Sequence, residues 1–331
     1  MLILVIITII IALGFDFLNG MNDAGNSIAT IVATKVMKPK LAVLWAAFFN
    51  FIAFLVFGVH VATTIGKGII MPDVIKGDPY FILASLVSAI VWVYFCGKQG
   101  IPNSVSHALI GGLIGPALIK GGIGALFLSG IFKVLIFIVL APLIGMLIGY
   151  LFMIITMLIF RNTAPKKVDG LFRVLQLISS AAFSLGHGGN DAQKTMGIIA
   201  ILLFSTGYLG SEFYIPLWVV LSAHTAIALG TFTGAWKIIR TLGSKLTDLK
   251  PVGGFCAETA GALTLFAVTA IGVPVSTTHT ITGAIMGVGV TRRFSAVKWG
   301  VAGNIVTAWI LTIPSVIIVS GILYWLIQLF V

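Results

Sequence analysis

A chain of 331 residues in which 59% of positions are hydrophobic and 9% charged, with a mean hydropathy of +1.15, lacks the polar surface of a water-soluble fold; it reads as an all-α polytopic membrane protein. The formal charge of +11 is no argument for nucleic acid in such a chain, because cytoplasmic loops of membrane proteins carry that excess of Lys and Arg. Cys96 and Cys256 lie in or beside apolar runs without metal-ligand spacing, which fits buried small hydrophobes.

In chain order the apolar runs are 2–20 with 24–34, 41–66, 79–97 with 103–119, and 122–160. The series then starts again: 171–186 with 190–204, 213–236, 252–272 with 276–290, and 299–331. The first run has no basic n-region or cleavage site and is expected to be a retained span. One order of elements used twice gives a first transmembrane repeat over 1–160, a cytoplasmic linker over 161–170 and a second repeat over 171–331. Two motif pairs fix the alignment. Asn22-Asp23-Ala24 returns as Asn190-Asp191-Ala192, 168 residues on, and Pro102-Asn103-Ser104-Val105-Ser106-His107 returns as Pro274-Val275-Ser276-Thr277-Thr278-His279, 172 residues on.

Charge relates the halves. The loop of Lys35, Lys38 and Lys40 matches a stretch at 205–211 without Lys or Arg, whereas the balanced 67–78 loop matches one carrying Lys237, Arg240, Lys245 and Lys250. Equivalent loops then face opposite sides, so the repeats are expected to have inverted topology. The clusters at 35–40, 161–167, 237–250 and 292–298 fall inside, Lys67, Lys76 and Lys120 outside, and both termini outside. Each Asn-Asp segment is expected to be a crossing broken at its glycines, and each Pro-x-Ser-x-[Ser/Thr]-His segment the tip of a re-entrant helical hairpin. The 122–160 run, despite Pro142, is taken as one tilted span.

Broken backbone inside a bilayer is tolerated only against protein or a wet cavity. Four half-helix N-termini meeting near the midplane would make a donor-rich cage for a tetrahedral oxyanion, built from Asn26, Ser27, Ser104, Val105, Ser106, Thr195, Ser276, Thr277 and Thr278, with Lys194 as its cation. Asp23 and Asp191 would repel that anion unless a cation bound with it. Na⁺ held by Asn22, Asp23, Asn190 and Asp191, with Glu258 as a further candidate, would let anion and cation bind better together than apart, as symport requires. Glu258 faces Leu86 across the repeat, and cation coordination, proton relay and a structural carboxyl are open to it. His107 and His279 read as hairpin stabilisers, Asn50 and His224 as packing groups, and Asp16 as lining a cation path or meeting water. A hydrolytic metal site built from His107, His187, His279 and the acids is disfavoured, since no His-Glu-x-x-His spacing occurs.

Gly20-Met21-Asn22-Asp23-Ala24-Gly25-Asn26-Ser27 and Gly186-His187-Gly188-Gly189-Asn190-Asp191-Ala192, with the two hairpin motifs, resemble the duplicated signature of the inorganic phosphate transporter (PiT) family of secondary carriers. The resemblance covers nearly the whole chain. It implies import of inorganic phosphate with Na⁺ or H⁺, inverted repeats, a homodimer in the cell membrane, no organic cofactor and no enzymatic activity. Gln193-Lys194 replaces small residues of the family pattern, and Asn50 and Leu86 stand where some relatives have glutamates, which bears on the number of coupling ions. Another oxyanion such as sulfate is the alternative substrate.

Overall fold

The computed structural model describes residues 1–101, 103–234 and 246–331; Pro102 and the cations Lys237, Arg240 and Lys245 lie outside the described residues. The helices are α1 (Leu2–Ala33), α2 (Pro39–Ile52), α3 (His60–Lys67), α4 (Pro72–Ile75), α5 (Pro79–Gln99), α6 (Val105–Gly121), α7 (Leu128–Ile159), α8 (Pro165–Ser205), α9 (Leu217–Thr233), α10 (Pro251–Ala270), α11 (Thr277–Val290) and α12 (Trp299–Gln328). Proline, whose missing N–H costs nothing in the first turn, opens α2, α4, α5, α8 and α10. Among the described residues seven helices are long and apolar enough to cross a bilayer, and α2 and α3 form a further pair bent by 80°.

The expected hairpins are present. Gly100 closes α5 in the left-handed region and the Ser104 hydroxyl caps α6 by accepting from His107 N–H. The second copy repeats this: Gly272 adopts φ +70° after α10, and Ser276 caps α11 by accepting from His279 N–H. Each hairpin returns to the end it came from. Lys120 at the end of α6 pairs with Asp78 at the start of α5 at 2.5 Å, and Arg292 beyond α11 donates to the Asp248 carbonyl before α10 at 3.0 Å.

The two hairpins enter from opposite ends. Arg173 of α8 donates to the Lys35 carbonyl, and Arg161, Asp169 and Lys250 line one cleft, so the described basic loops share an end. At the other end Gly77 N–H bonds the Ser205 carbonyl at 2.9 Å and the Tyr324 hydroxyl donates to Asp78 at 2.6 Å. α7 is a single 32-residue helix through Pro142, as expected, and α12 runs through Pro314 at the equivalent place.

One expectation is corrected. The backbone is not broken at Asn22-Asp23 or Asn190-Asp191, because α1 and α8 are continuous helices of 32 and 41 residues. The glycines there serve close approach instead of unwinding. A Cβ on Gly20 would collide with the Ile227 carbonyl of α9, and one on Gly188 with the Asn50 backbone of α2. The chain breaks at the two hairpin tips and at the α2–α3 bend. Of the four N-termini expected there, the two of the hairpin helices α6 and α11 reach the aspartates, and the two within α1 and α8 do not exist.

The halves interlock: α6 packs on α12 and α11 on α7, while α1 packs on α9 and α2 on α8. Small residues make this possible, since Gly283 and Gly287 lie against the Pro142 and Met146 carbonyls of α7, as Gly111 and Gly115 lie against Ile313 and Ile317 of α12. Large apolar residues on the outer faces of α7 and α12, among them Val139, Leu143, Ile310 and Ile318, are exposed, which suits contact with lipid.

Candidate functional site

The site forms where α1 and α8 cross the two hairpin tips. The two long helices run antiparallel: Thr34 bonds Gln176, Ser27 meets His187, and Asp23 shares Thr277 with Asp191. Asn22 and Asn190 do the same job in each half. Asn22 Nδ2 donates to Asn103 Oδ1 at the first tip (3.0 Å) and to Asp23 (3.0 Å). Asn190 Nδ2 donates to Thr269 and the Val273 carbonyl, and its oxygen accepts from Val275 N–H at the second tip. Asn190 is spent on its hairpin at both ends of the amide, whereas Asn22 Oδ1 is buried without a partner among the described residues and stays available beside the carboxylates.

The carboxylates are unlike. Asp191 accepts from the Lys194 ammonium at 2.5 Å, and that ammonium spends its other two hydrogens on Ser106 Oγ (2.6 Å) and the Val275 carbonyl (2.9 Å). Lys194 thus ties α8 to both tips and is internally satisfied, a narrower role than free anion ligand. Asp23 has neutral donors only: Asn22, Thr277 Oγ1 at 3.1 Å and Thr278 Oγ1 at 3.4 Å. Thr277 also stands 3.5 Å from Asp191, but its one hydrogen can serve one carboxylate at a time. Asn26 Nδ2 donates to both Thr277 and Thr278, completing the ring.

His187 closes the site. Thr231 Oγ1 donates to the Ile227 carbonyl, so it accepts from Asn50 Nδ2 (2.9 Å), which turns the Asn50 oxygen toward His187 Nδ1 (3.1 Å). That acceptor places the imidazole proton on Nδ1. The Nε2 lone pair then faces Asp191 Oδ2 at 3.6 Å without a hydrogen-bond donor. Asp23, Asp191 and His187 present ligand atoms within 4.8 Å of one another, all buried. Counted as two carboxylates, one ammonium and a neutral imidazole, the site carries −1, and its three lone-pair donors converge on a point that suits a cation.

The pair of tips is the donor-rich side of the site. Ser104 and Ser276 are spent as caps, which leaves the N–H groups of Val105, Ser106, Thr277 and Thr278, the first two residues of each helix, without intrahelical acceptors. The tips touch, for Ser106 Oγ donates to the Val275 carbonyl at 2.9 Å. Ser27 lies 3.4 Å from His187 at the edge of this region. Thr195 lies apart, beside Asp16.

Glu258 is not at the aspartates. Its oxygens accept from Thr30 (2.5 Å), Gln176 (3.1 Å) and Ser179 (2.5 Å), and Thr30 stands seven residues, about 10 Å of helix, beyond Asp23. His107 and His279 sit behind the tips with ring centroids 4.5 Å apart, and His279 stacks on Trp309 at 3.5 Å, in keeping with a stabilising role. Asn50 does more than pack against α9, since it orients His187. Gln193, in sequence only a departure from the family pattern, has a defined structural place: its oxygen caps α3 by accepting from Val61 and Ala62 N–H.

The profile described as the Phosphate transporter family matches residues 19–169 and 160–320 of this chain. A protein of Rhizobium meliloti named "Probable low-affinity inorganic phosphate transporter" is 58% identical, the match covering 96% of this chain and 94% of that one. A Bacillus subtilis protein of the same name is 40% identical over 99% and 98%. A solved structure described as "The sodium-dependent phosphate transporter" superposes with a TM-score of 0.91 at 27% identity, covering 99% of this chain and all of the other.

Proposed function

This chain belongs to the phosphate transporter family, a group of integral membrane carriers rather than enzymes, and we propose that it imports inorganic phosphate by Na⁺ symport with alternating access. The observation that carries the Na⁺ reading is the convergence of Asp23, Asp191 and His187 Nε2 around a buried centre of net charge −1. A phosphate anion entering beside that centre meets repulsion until a cation binds, and each then raises the other's affinity by the same factor. The two carboxylates are hard oxygen ligands of the kind a small hard cation prefers. The tips supply what the anion needs, free N–H groups and hydroxyls at two helix N-termini. The solved structural relative is described as sodium-dependent, which supports the same ion.

Alternating access is supported by the antiparallel pairing of α1 with its counterpart α8 and by hairpins entering from opposite ends, an arrangement suited to exchange of inward and outward forms between inverted halves. The test is phosphate uptake into proteoliposomes under an imposed Na⁺ gradient, with sulfate as competitor. Uptake driven by a pH gradient and indifferent to Na⁺ rejects sodium in favour of H⁺, and strong inhibition by sulfate rejects selectivity for phosphate.

A further inference from the structure

The polar residues of α1 do not stop at the Asn-Asp pair. Asp16, Asp23 and Thr30 are spaced seven residues apart, so they share one helix face at steps of about 10 Å. None is more than 3% exposed. Two of the three have been accounted for: Asp23 meets Asp191 and the second tip, and Thr30 meets Glu258.

Asp16 differs in what it leaves over. Asn19 Nδ2 donates to its Oδ1 at 3.3 Å, and the Thr195 hydroxyl of α8 is directed at the same carboxylate. Asp16 Oδ2, Asn19 Oδ1 and Thr195 Oγ1 are all buried, and none closes a hydrogen bond of good geometry among the described residues. Lys194 lies within electrostatic reach, but its three hydrogens are already placed. A buried carboxylate oxygen without a partner is costly to desolvate, and a bound cation offsets that cost.

We propose that Asp16, Asn19 and Thr195 form a second cation site, holding a Na⁺ ion on the same face of α1 as Asp23. Carboxylate, amide carbonyl and hydroxyl are hard oxygen ligands, and one formal negative charge matches a monovalent ion. The proposal rests on the Na⁺-coupled reading and adds to it a station one heptad from the main site, reached along α1. It also recasts Thr195 as a cation ligand.

The experiment compares wild type, Asp16→Asn and Thr195→Val, full length in proteoliposomes at fixed pH, by the Na⁺ dependence of phosphate uptake and by the radiolabelled Na⁺ retained per chain at equilibrium. Thr195→Val keeps the side-chain shape and removes one ligand, so the half-saturating Na⁺ concentration should rise by about fivefold or more. Asp16→Asn should retain one Na⁺ fewer per chain. The site is overturned if both variants keep the wild-type Na⁺ titration and Na⁺ count, or if Asp16→Asn alters only the pH dependence, which marks a proton carrier. Should Asp16→Asn fail to fold, the Na⁺ titration of Thr195→Val decides by itself. Wild-type uptake indifferent to Na⁺ sinks the coupling reading, while the Na⁺ count still decides whether this site exists.

Discussion

Lys194 and the two aspartates divide their work unequally. The sequence presents Asp23 and Asp191 as equivalents, yet Asp191 is paired with an ammonium and Asp23 with neutral donors. Asp23 therefore holds the charge that a coupling cation can use. Asp23→Asn should abolish Na⁺-dependent uptake while the protein stays folded, because its neutral donors can re-pair with an amide. Wild-type Na⁺ dependence in that variant removes Asp23 from the cation site. Lys194→Met acts differently, stranding Asp191 as a buried charge without its partner and untying both tips, at about 3–5 kcal/mol. Its melting temperature in detergent should drop markedly, and Lys194→Arg should not restore it, since a planar guanidinium cannot place donors on three partners arranged for an ammonium. A melt unchanged from wild type contradicts this view of Lys194.

Among the helices, α1 carries a comparison within itself. A Cβ at Gly14 meets nothing within 4 Å, whereas one at Gly20 collides with the Ile227 carbonyl. Gly14→Ala should leave stability level or raise it by up to about 1 kcal/mol through helix propensity. Gly20→Ala should lower it by about 1–3 kcal/mol through forced separation of α1 and α9. Thermal unfolding of the two variants checks both, and equal melts contradict the close-approach account. The same glycines mark the limit of what the chain alone reveals. Hairpins and spans are legible in sequence because they follow from long apolar runs and from the Gly, Pro and Ser residues of the paired motifs. Continuity through Asn22-Asp23 is not, since glycine beside buried polar residues fits unwinding and close packing alike; only the neighbour, a carbonyl from a helix some 200 residues away, decides. The donors around Glu258 are hidden for the same reason, because Thr30, Gln176 and Ser179 are brought together by tertiary packing. For Asp191 and Lys194 the i, i+3 spacing already brings the pair together on one turn, but does not reveal the partners that saturate the ammonium.

At the scale of the molecule, the described site residues are sealed from both ends: Asp23, Asp191 and the hydroxyls of both tips are each no more than 6% exposed. Under the proposed alternating access one end opens at a time, and with α1 and α8 antiparallel each end of that pair would close a different side. At the basic end α1 and α8 are joined by Thr34 and Gln176, whose side chains bond at 2.8 Å, one helix turn beyond Thr30 and the Glu258 cluster. If the two halves exchange conformations, α1 and α8 must part there in one state. A double variant, Thr34→Cys with Gln176→Cys, bridged by a short reducible thiol reagent, should therefore lose phosphate uptake and regain it on reduction. Cys96 and Cys256 are buried and should not compete for the reagent. Uptake that persists in the bridged protein means that α1 and α8 move as one body, and the motion then belongs to the hairpins sliding past them. Both outcomes keep the proposed charge logic intact, since Lys194 holds the tips to α8 whichever surface moves, and under the proposed symport a cation at Asp23 would let the anion join them.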